Sequence, residues 1–196
     1  MKIPMPAAVL AGGASRRMGR PKASLAYGAG TLLEYQTNRL AELFEEVLAV
    51  VKGAPESPVG RARVVCDAVP EHAAIFGLVR AMEEAVDRIF VLAVDLPAIP
   101  PLLIRAIAER GRTTAAPALV PRADGRLQPL AAVWRRAALE TARRRIASRD
   151  LSLQGLAQEL NAEIFDEPEW RSLDPSGTAF ANLNTLEDYA FLRERA

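Results

Sequence analysis

Residues 89–97 read IFVLAVDLP and contain the clearest strand signal of the chain. Six apolar residues in succession, 89–94, are typical of a strand that is buried on both faces of a sheet. The strand cannot continue through Pro97, because proline has no backbone N–H to donate to a neighbouring strand. The sequence therefore predicts a buried strand that is followed at once by the carboxylate of Asp95.

Shorter apolar runs and helical periods alternate on both sides of this strand. A run at 7–10 stops at Gly12 and Gly13, and positions 33, 36/37, 40, 43 and 44 keep a helical period. Further strands are predicted at 47–51, 63–66, 118–120, 127–134 and 162–165. Helices are predicted at 32–44, 75–86, 102–110, 135–147 and 153–160, and a last helix follows a capping box formed by Thr185 and Asp188.

This alternation predicts the fold class and the position of a ligand site. Strands that alternate with helices form a mostly parallel sheet covered on both faces, a three-layer α/β/α, Rossmann-like arrangement. The 196 residues suffice for a single domain. Ligands of such sheets bind beyond the carboxyl ends of the strands. Gly12, Gly13 and Asp95 all follow such ends, so we expect them to share one site.

Composition excludes several classes of partner. Lys+Arg 25 against Asp+Glu 24 gives no electrostatic reason to expect a nucleic acid or an acidic membrane surface as partner. No apolar stretch reaches the length of a membrane span, and the N-terminus lacks a signal-peptide pattern. The lone Cys66 excludes an internal disulfide and a CxxC metal site. We therefore expect a cytoplasmic protein.

The loop after the first strand carries the features of a phosphate site. It reads LAGGASRRMGRPK over residues 10–22. Gly12 and Gly13 let the backbone N–H groups approach a ligand, and Arg17 and Lys22 supply positive charge for phosphate oxygens. Neither the Walker pattern nor GxGxxG is present. The alternative is a glycine-rich turn with two solvated cations.

Asp95 is the candidate metal ligand. Oxygen ligands suit Mg²⁺, which takes one or two carboxylates and lets substrate phosphates and water complete its shell. The alternative for Asp95 is a structural role in the turn that follows the strand. Asp67 is either a second polar contact of the site or a surface turn residue, and His72 is interpreted as a surface residue.

The residues that the chain lacks are compatible with nucleotidyl transfer. With one histidine and one cysteine, no Ser/His/Asp or Cys/His machinery is evident. Nucleotidyl transfer from an NTP to an acceptor phosphate requires neither, because the nucleophile is already ionised. Catalysis then reduces to alignment and charge neutralisation.

Four segments resemble the molybdenum cofactor guanylyltransferases, the MobA-type nucleotidyltransferases. They are LAGGASRRMGRPK at 10–22, LAVDLP at 92–97, DGRLQPL at 124–130 and FANLNTLED at 180–188. The first motif is shared by many nucleotidyltransferases, whereas its combination with the last is much more specific. The resemblance implies a nucleotidyltransferase fold, transfer of GMP from GTP to the molybdopterin cofactor, and release of pyrophosphate. Cytidylyl-transferring relatives tend to have LAAG in place of LAGG, which favours guanine by analogy.

The resemblance also implies a role for each matching residue. Leu10, Ala11, Gly12 and Gly13 would hold base and phosphates by their backbone, and Arg17 and Lys22 would neutralise the triphosphate and the leaving pyrophosphate. Asp67 would contact the nucleoside, Asp95 would bind Mg²⁺, and Asn182 and Asn184 would contact the pterin acceptor. GTP and molybdopterin are the implied partners, with other proteins of cofactor biosynthesis as further candidates.

One departure from the family pattern keeps two alternatives open. The family usually has G-P-L-x-G after the equivalent of Asp67, whereas this chain has AAIFG at 73–77. The missing Gly-Pro slightly favours a sugar-phosphate or cytidylyl-type nucleotidyltransferase of the same fold, whereas the ending Asn182-Leu183-Asn184-Thr185 favours the guanylyltransferase. A non-catalytic nucleotide-binding partner protein is the other alternative, and the joint presence of Arg17, Lys22 and Asp95 argues against it.

Overall fold

The computed structural model describes residues 1–12, 21–55, 58–183 and 185–193, which form helices around one large sheet. The strands of this part of the chain are β1 (Ile3–Leu10), β2 (Ala26–Tyr27), β3 (Gly30–Thr31), β4 (Phe44–Lys52), β5 (Arg63–Asp67), β6 (Arg88–Ala93), β7 (Ala118–Ala123), β8 (Arg126–Leu127), β9 (Ala131–Arg135) and β10 (Glu163–Phe165). The α-helices are α1 (Leu32–Leu43), α2 (Ala74–Glu84), α3 (Pro101–Thr113), α4 (Leu139–Ala147), α5 (Leu153–Glu159), α6 (Glu167–Trp170) and α7 (Leu186–Arg193). Short 3₁₀ turns lie at Lys22–Ser24, Arg136–Ala138 and Arg171–Leu173.

The sheet is mostly parallel, as the sequence predicts. Its strand order is β10-β7-β9-β6-β1-β4-β5, with β8 paired to β7 and with β2 and β3 forming a separate hairpin. The pairs β6–β1, β1–β4, β4–β5 and β10–β7 are parallel, while β9 is antiparallel to both of its neighbours. The chain leaves β1 towards β4 and β5 and then returns to β6 on the other side of β1. This reversal opens a crevice at the carboxyl ends of β1 and β6.

Two apolar layers cover the two faces of the sheet. Alternate residues of β6 point to opposite faces, so Phe90 and Leu92 pack with α1 and α3, whereas Ile89 and Val91 pack with α2, α4 and α5. All four are fully buried. A strand that is covered on both sides must be apolar throughout, which explains the unbroken apolar run at 89–94. The predicted three-layer α/β/α architecture is confirmed.

Two predicted elements are wrong in extent. The strand predicted at 127–134 is two strands, β8 and β9, because the chain turns between them, where the Ala131 N–H donates to the carbonyl of Gln128 at 3.0 Å. Before β8, Asp124 and Gly125, with φ of 48° and 72°, reverse the chain after β7. A hairpin with this pair of left-handed residues is the expected result of an Asp-Gly turn. The helix predicted to run to Val86 ends at Glu84, because Ala85 is extended (ψ 144°) and directs the chain towards β6. Val86 is therefore exposed, not part of the buried face.

Capping boxes fix the starts of three helices, α1, α6 and α7. At α1 the Thr31 side chain accepts from the backbone N–H of Glu34, and the Glu34 carboxylate accepts from the backbone N–H of Thr31. The capping box predicted for α7 is present, with distances of 2.8 and 3.0 Å between Thr185 and Asp188. Among the described residues, no helix is both long enough and apolar enough to cross a bilayer.

We expect Glu163→Gln to destabilise the fold at neutral pH and to have no effect in acid. The Glu163 carboxylate joins β10 to α3, since it accepts from the Thr114 hydroxyl and, at 2.8 Å, from Arg110 Nε. These contacts, the Thr114 hydrogen bond first, lower the pKa of Glu163. A lowered pKa stabilises the fold above the unfolded-state value of about 4.3, and this stabilisation is lost as pH falls through the folded value.

Urea unfolding at several pH values measures this effect. The expected loss at pH 7 is roughly 1 kcal/mol, because Glu163 is partly exposed. The exposed Glu140→Gln is the matched control and is expected to change little at any pH. A loss that persists at pH 3 would contradict the assigned cause.

Candidate active site

A cleft of about 240 Å³ lies beyond the carboxyl ends of β1, β4, β5 and β6, at the crevice that the strand order creates. Backbone of residues 10–12 forms one part of its lining, and two lysine–aspartate pairs form another. The start of α2, at Ala73 and Ala74, completes a third side. The structure thus brings together six of the sequence-predicted site residues: Leu10, Ala11, Gly12, Lys22, Asp67 and Asp95.

The glycine-rich loop leaves β1 at the centre of the sheet. Leu10 accepts a backbone hydrogen bond from Val94 at 3.1 Å, and the Ala11 N–H donates to Val50 at 2.9 Å, so the strands on both sides fix the loop's start. A Cβ on Gly12 would lie 3.2 Å from Cγ of Lys52, closer than most real contacts of this kind. Glycine at this position therefore allows close packing. Gly13 and Arg17 lie outside the described residues.

Lys22 and Asp95 meet across the crevice. Nζ of Lys22 lies 2.8 Å from Oδ2 of Asp95, although the two residues are 73 positions apart in sequence. Both side chains are partly exposed, at 18% and 24%. The charge predicted to contact phosphate and the carboxylate predicted to contact metal are thus direct neighbours.

Asp67 belongs to the cleft, and the alternative that it is a surface turn residue is wrong. Its side chain is 5% exposed, and its Oδ2 lies 2.6 Å from Nζ of Lys52. The same ammonium donates to the carbonyls of Val69, at 2.5 Å, and Glu71, at 2.9 Å. Lys52 therefore neutralises a buried carboxylate and ties the 67–71 segment to the end of β4.

Sequence reasoning missed Lys52, although a signal for it existed. The predicted strands 47–51 and 63–66 end just before Lys52 and Asp67, and in the parallel sheet these two residues are register partners. Opposite charges at the ends of two consecutive predicted strands indicate such a pair. What the sequence could not show was that β4 and β5 are neighbours.

His72 and the first turn of α2 form the rim of the cleft. His72 is exposed, as predicted, but Nδ1 of its ring lies 3.3 Å from the carbonyl oxygen of Gly12. Ala73 precedes α2 without a side-chain cap, so the partial positive charge of the helix N-terminus is directed towards the cleft. The departure from the family pattern, Ala73-Ala74 in place of Gly-Pro, therefore lies in the lining itself.

The C-terminal segment contacts the turn that carries Asp95. The backbone N–H of the buried Leu183 donates to the carbonyl of Asp95 at 2.9 Å. The neighbouring Asn182 is exposed and stands outside the cleft lining, while Asn184 is outside the described residues. Of the two predicted acceptor contacts, the structure therefore places Asn182 beside the site but not within it.

The described part of the chain contains no cluster of three or more metal-ligating side chains, and its cleft combines two carboxylates with two ammonium groups. The carboxyl edge of a Rossmann-like sheet is where proteins of this class bind their ligands, and the two ammonium groups suit a phosphorylated one. A comparison with family models narrows this class. The model described as "MobA-like NTP transferase domain" matches residues 7–163, so the chain belongs to that family and is a nucleotidyltransferase.

Individual relatives agree with this assignment. The chain is 35% identical to a probable molybdenum cofactor guanylyltransferase of Chloroflexus aggregans, over 92% of this chain and 89% of the relative. A protein of the same description from Mycobacterium avium is 34% identical, over 95% and 93%. The fold matches the crystal structure of molybdopterin-guanine dinucleotide biosynthesis protein A from Archaeoglobus fulgidus with a TM-score of 0.83, 22% identity and coverage of 97% and 98%.

Proposed function

We propose that this nucleotidyltransferase transfers GMP from GTP to molybdopterin and releases pyrophosphate. The observation that carries the proposal is the convergence of the residue 10–12 backbone, Lys22, Asp67 and Asp95 on one cleft. The proposed substrates are taken from relatives that are described as probable guanylyltransferases of the molybdenum cofactor. These relatives align over nine-tenths of the chain.

The chemistry suits a cleft with charges but without a built-in nucleophile. A phosphate oxygen of the acceptor forms a bond to the α-phosphorus of GTP, and the bond between the α-phosphorus and the bridging oxygen breaks. Pyrophosphate leaves with that oxygen. The residues need only align the two phosphates and neutralise their charge. Lys22, together with Arg17, is suited to the leaving group, because a cation there offsets the charge that develops.

The remaining roles are those that the family resemblance implies. The backbone of Leu10, Ala11, Gly12 and Gly13 holds the nucleotide, and Asp67, paired with Lys52 at 2.6 Å, contacts the nucleoside. The exposed Asn182, together with Asn184, is proposed to contact the pterin acceptor, which approaches from the side of the C-terminal segment. GTP and molybdopterin are the proposed partners.

Asp95 is proposed to hold Mg²⁺ together with the nucleotide phosphates. Its carboxylate is partly exposed in the cleft and can offer an oxygen to this ion, which would take the place beside Oδ2 that the Lys22 ammonium holds at 2.8 Å. A single protein carboxylate is sufficient when phosphates and water supply the other oxygen ligands. Bound there, Mg²⁺ would supply charge stabilisation for the transferring phosphoryl group.

A second candidate is a sugar-phosphate or cytidylyl-type nucleotidyltransferase. The observation that favours it is the Ala73-Ala74 pair, which lines the cleft where the family usually has Gly-Pro. A different entry into α2 changes the space that is available to the base or to the acceptor.

Thermal unfolding with GTP, CTP, ATP and UTP, each with and without Mg²⁺, separates these candidates. A ligand that binds only the folded state at a hundred times its Kd adds about 2.7 kcal/mol of stability. For a chain of this size, that amounts to roughly 5–10 °C in melting temperature. We expect a Mg²⁺-dependent shift with GTP and little with the others. A larger shift with CTP would establish the second candidate, and no shift with any nucleotide would refute both.

A further inference from the structure

Two polar side chains of α1 donate hydrogen bonds to the turn that carries Asp95. Nε2 of Gln36 donates to the carbonyl of Val94 at 3.3 Å. Nη1 of Arg39 donates to the carbonyl of Pro97 at 2.7 Å. The two acceptors flank Asp95, and both donors come from 58 positions earlier in the chain. The backbone contacts of Val94 with Leu10 and of Asp95 with Leu183 complete the attachment of the turn.

Gln36 is buried and Arg39 is partly buried, and each carries buried polar atoms that cost stability. Gln36 is fully buried on the core face of α1. Within the described residues, its Oε1 is buried without a hydrogen-bond partner, and the same holds for Nε and Nη2 of Arg39. Unsatisfied buried polar atoms lower stability, so packing alone does not account for these two residues.

Arg39 is also held rigidly. Its guanidinium lies over the ring of Tyr35, 5.3 Å from the ring centroid, and Tyr35 packs in turn on Tyr27 at 4.7 Å between centroids. Burial lowers the pKa of Arg39. A planar cation fixed against an aromatic ring loses little further freedom when it donates, and it therefore makes a stiff support for the Pro97 carbonyl.

We infer that Gln36 and Arg39 are positioning residues that aim the Asp95 carboxylate into the cleft. The inference rests on the proposed function, in which Asp95 holds the metal with the nucleotide phosphates. Outer supports of a metal ligand matter because they fix its orientation, and their removal typically weakens metal binding by 10- to 100-fold. The unsatisfied polar atoms lower the stability of the fold, and the same two side chains fix the orientation of the Asp95 carboxylate.

The test measures the Mg²⁺ concentration at which GTP reaches half of its maximal thermal protection. Gln36→Met and Arg39→Met keep the side-chain volume and remove the donors. We expect this concentration to rise by about tenfold in each variant. In the absence of ligand, we expect melting temperatures within a few degrees of the parent, because the unsatisfied atoms are removed together with the donors. Arg39→Lys retains a cation and a donor and is expected to restore most of the Mg²⁺ response.

Controls separate positioning from loss of fold. Glu42→Gln changes an exposed residue of α1 that pairs with Arg61 and not with the Asp95 turn, and it is expected to match the parent protein. If Gln36→Met does not fold, the Arg39→Met and Arg39→Lys pair tests the inference independently. An unchanged Mg²⁺ requirement in the Met variants, whatever their melting temperature, would overturn it. If the parent protein itself shows no Mg²⁺-dependent protection by GTP, the proposed function fails first.

Discussion

Asp95→Asn is expected to abolish nucleotidyl transfer and to leave the fold intact. Asparagine keeps the shape of the side chain, but its neutral amide is a poor ligand for Mg²⁺ and no longer offsets the charge of Lys22, 2.8 Å away. Loss of a metal contact that stabilises the transferring group costs several kcal/mol, which lowers kcat/KM by at least about a hundredfold. Pyrophosphate release from GTP in the presence of molybdopterin is the measurement.

Asp87→Asn, at the other end of β6, is the control for Asp95→Asn. Asp87 precedes β6 and is half exposed, so Asp87→Asn makes an identical chemical change far from the cleft. It is expected to retain full turnover. Because Asp95 is partly exposed, the melting temperature of Asp95→Asn should stay within a few degrees of the parent. Near-normal turnover in Asp95→Asn with unchanged Mg²⁺ dependence would remove Asp95 as the metal ligand.

Of the substitutions proposed for this protein, Lys52→Met is expected to lower the free energy of unfolding most. It leaves the Asp67 carboxylate, 5% exposed, without its cation, and it removes the donor to the carbonyls of Val69 and Glu71. Removing one partner of a buried pair costs roughly 3 kcal/mol, the lower end of the usual range, because Lys52 is itself 19% exposed. The melting temperature should fall by about 6–12 °C, and urea unfolding gives the free energy directly.

A double-mutant cycle identifies the cause. Asp67→Asn removes the unpaired charge, so the double variant Lys52→Met/Asp67→Asn should recover part of the stability that Lys52→Met loses. Lys2→Met, at an exposed position near the N-terminus, is expected to change the free energy of unfolding by less than about 0.5 kcal/mol. Purely additive losses in the double variant would show that the two side chains are not coupled.

Local sequence patterns were sufficient to predict most of the helices and strands and one half of the site. The apolar run at 89–94 and the glycines after residue 10 predicted two strand ends that carry polar groups, and the structure brings Gly12 and Asp95 into one cleft. The helical period over 32–44 also placed positions 36 and 37 on the buried face of α1. It did not indicate why a polar residue, Gln36, occupies one of them, because its partner is the carbonyl of Val94.

The sequence by itself determined the alternation of strands and helices, the buried central strand and the residues that stand at strand ends. These are local properties, since hydrophobic period and turn chemistry act over a few neighbouring residues. Only the tertiary structure decided which strands are neighbours, that β9 runs antiparallel, and which side chains pair: Lys22 with Asp95, Lys52 with Asp67, and α1 with the Asp95 turn. Such pairings depend on burial and on the order of strands in the sheet, and no local pattern in the chain encodes that order.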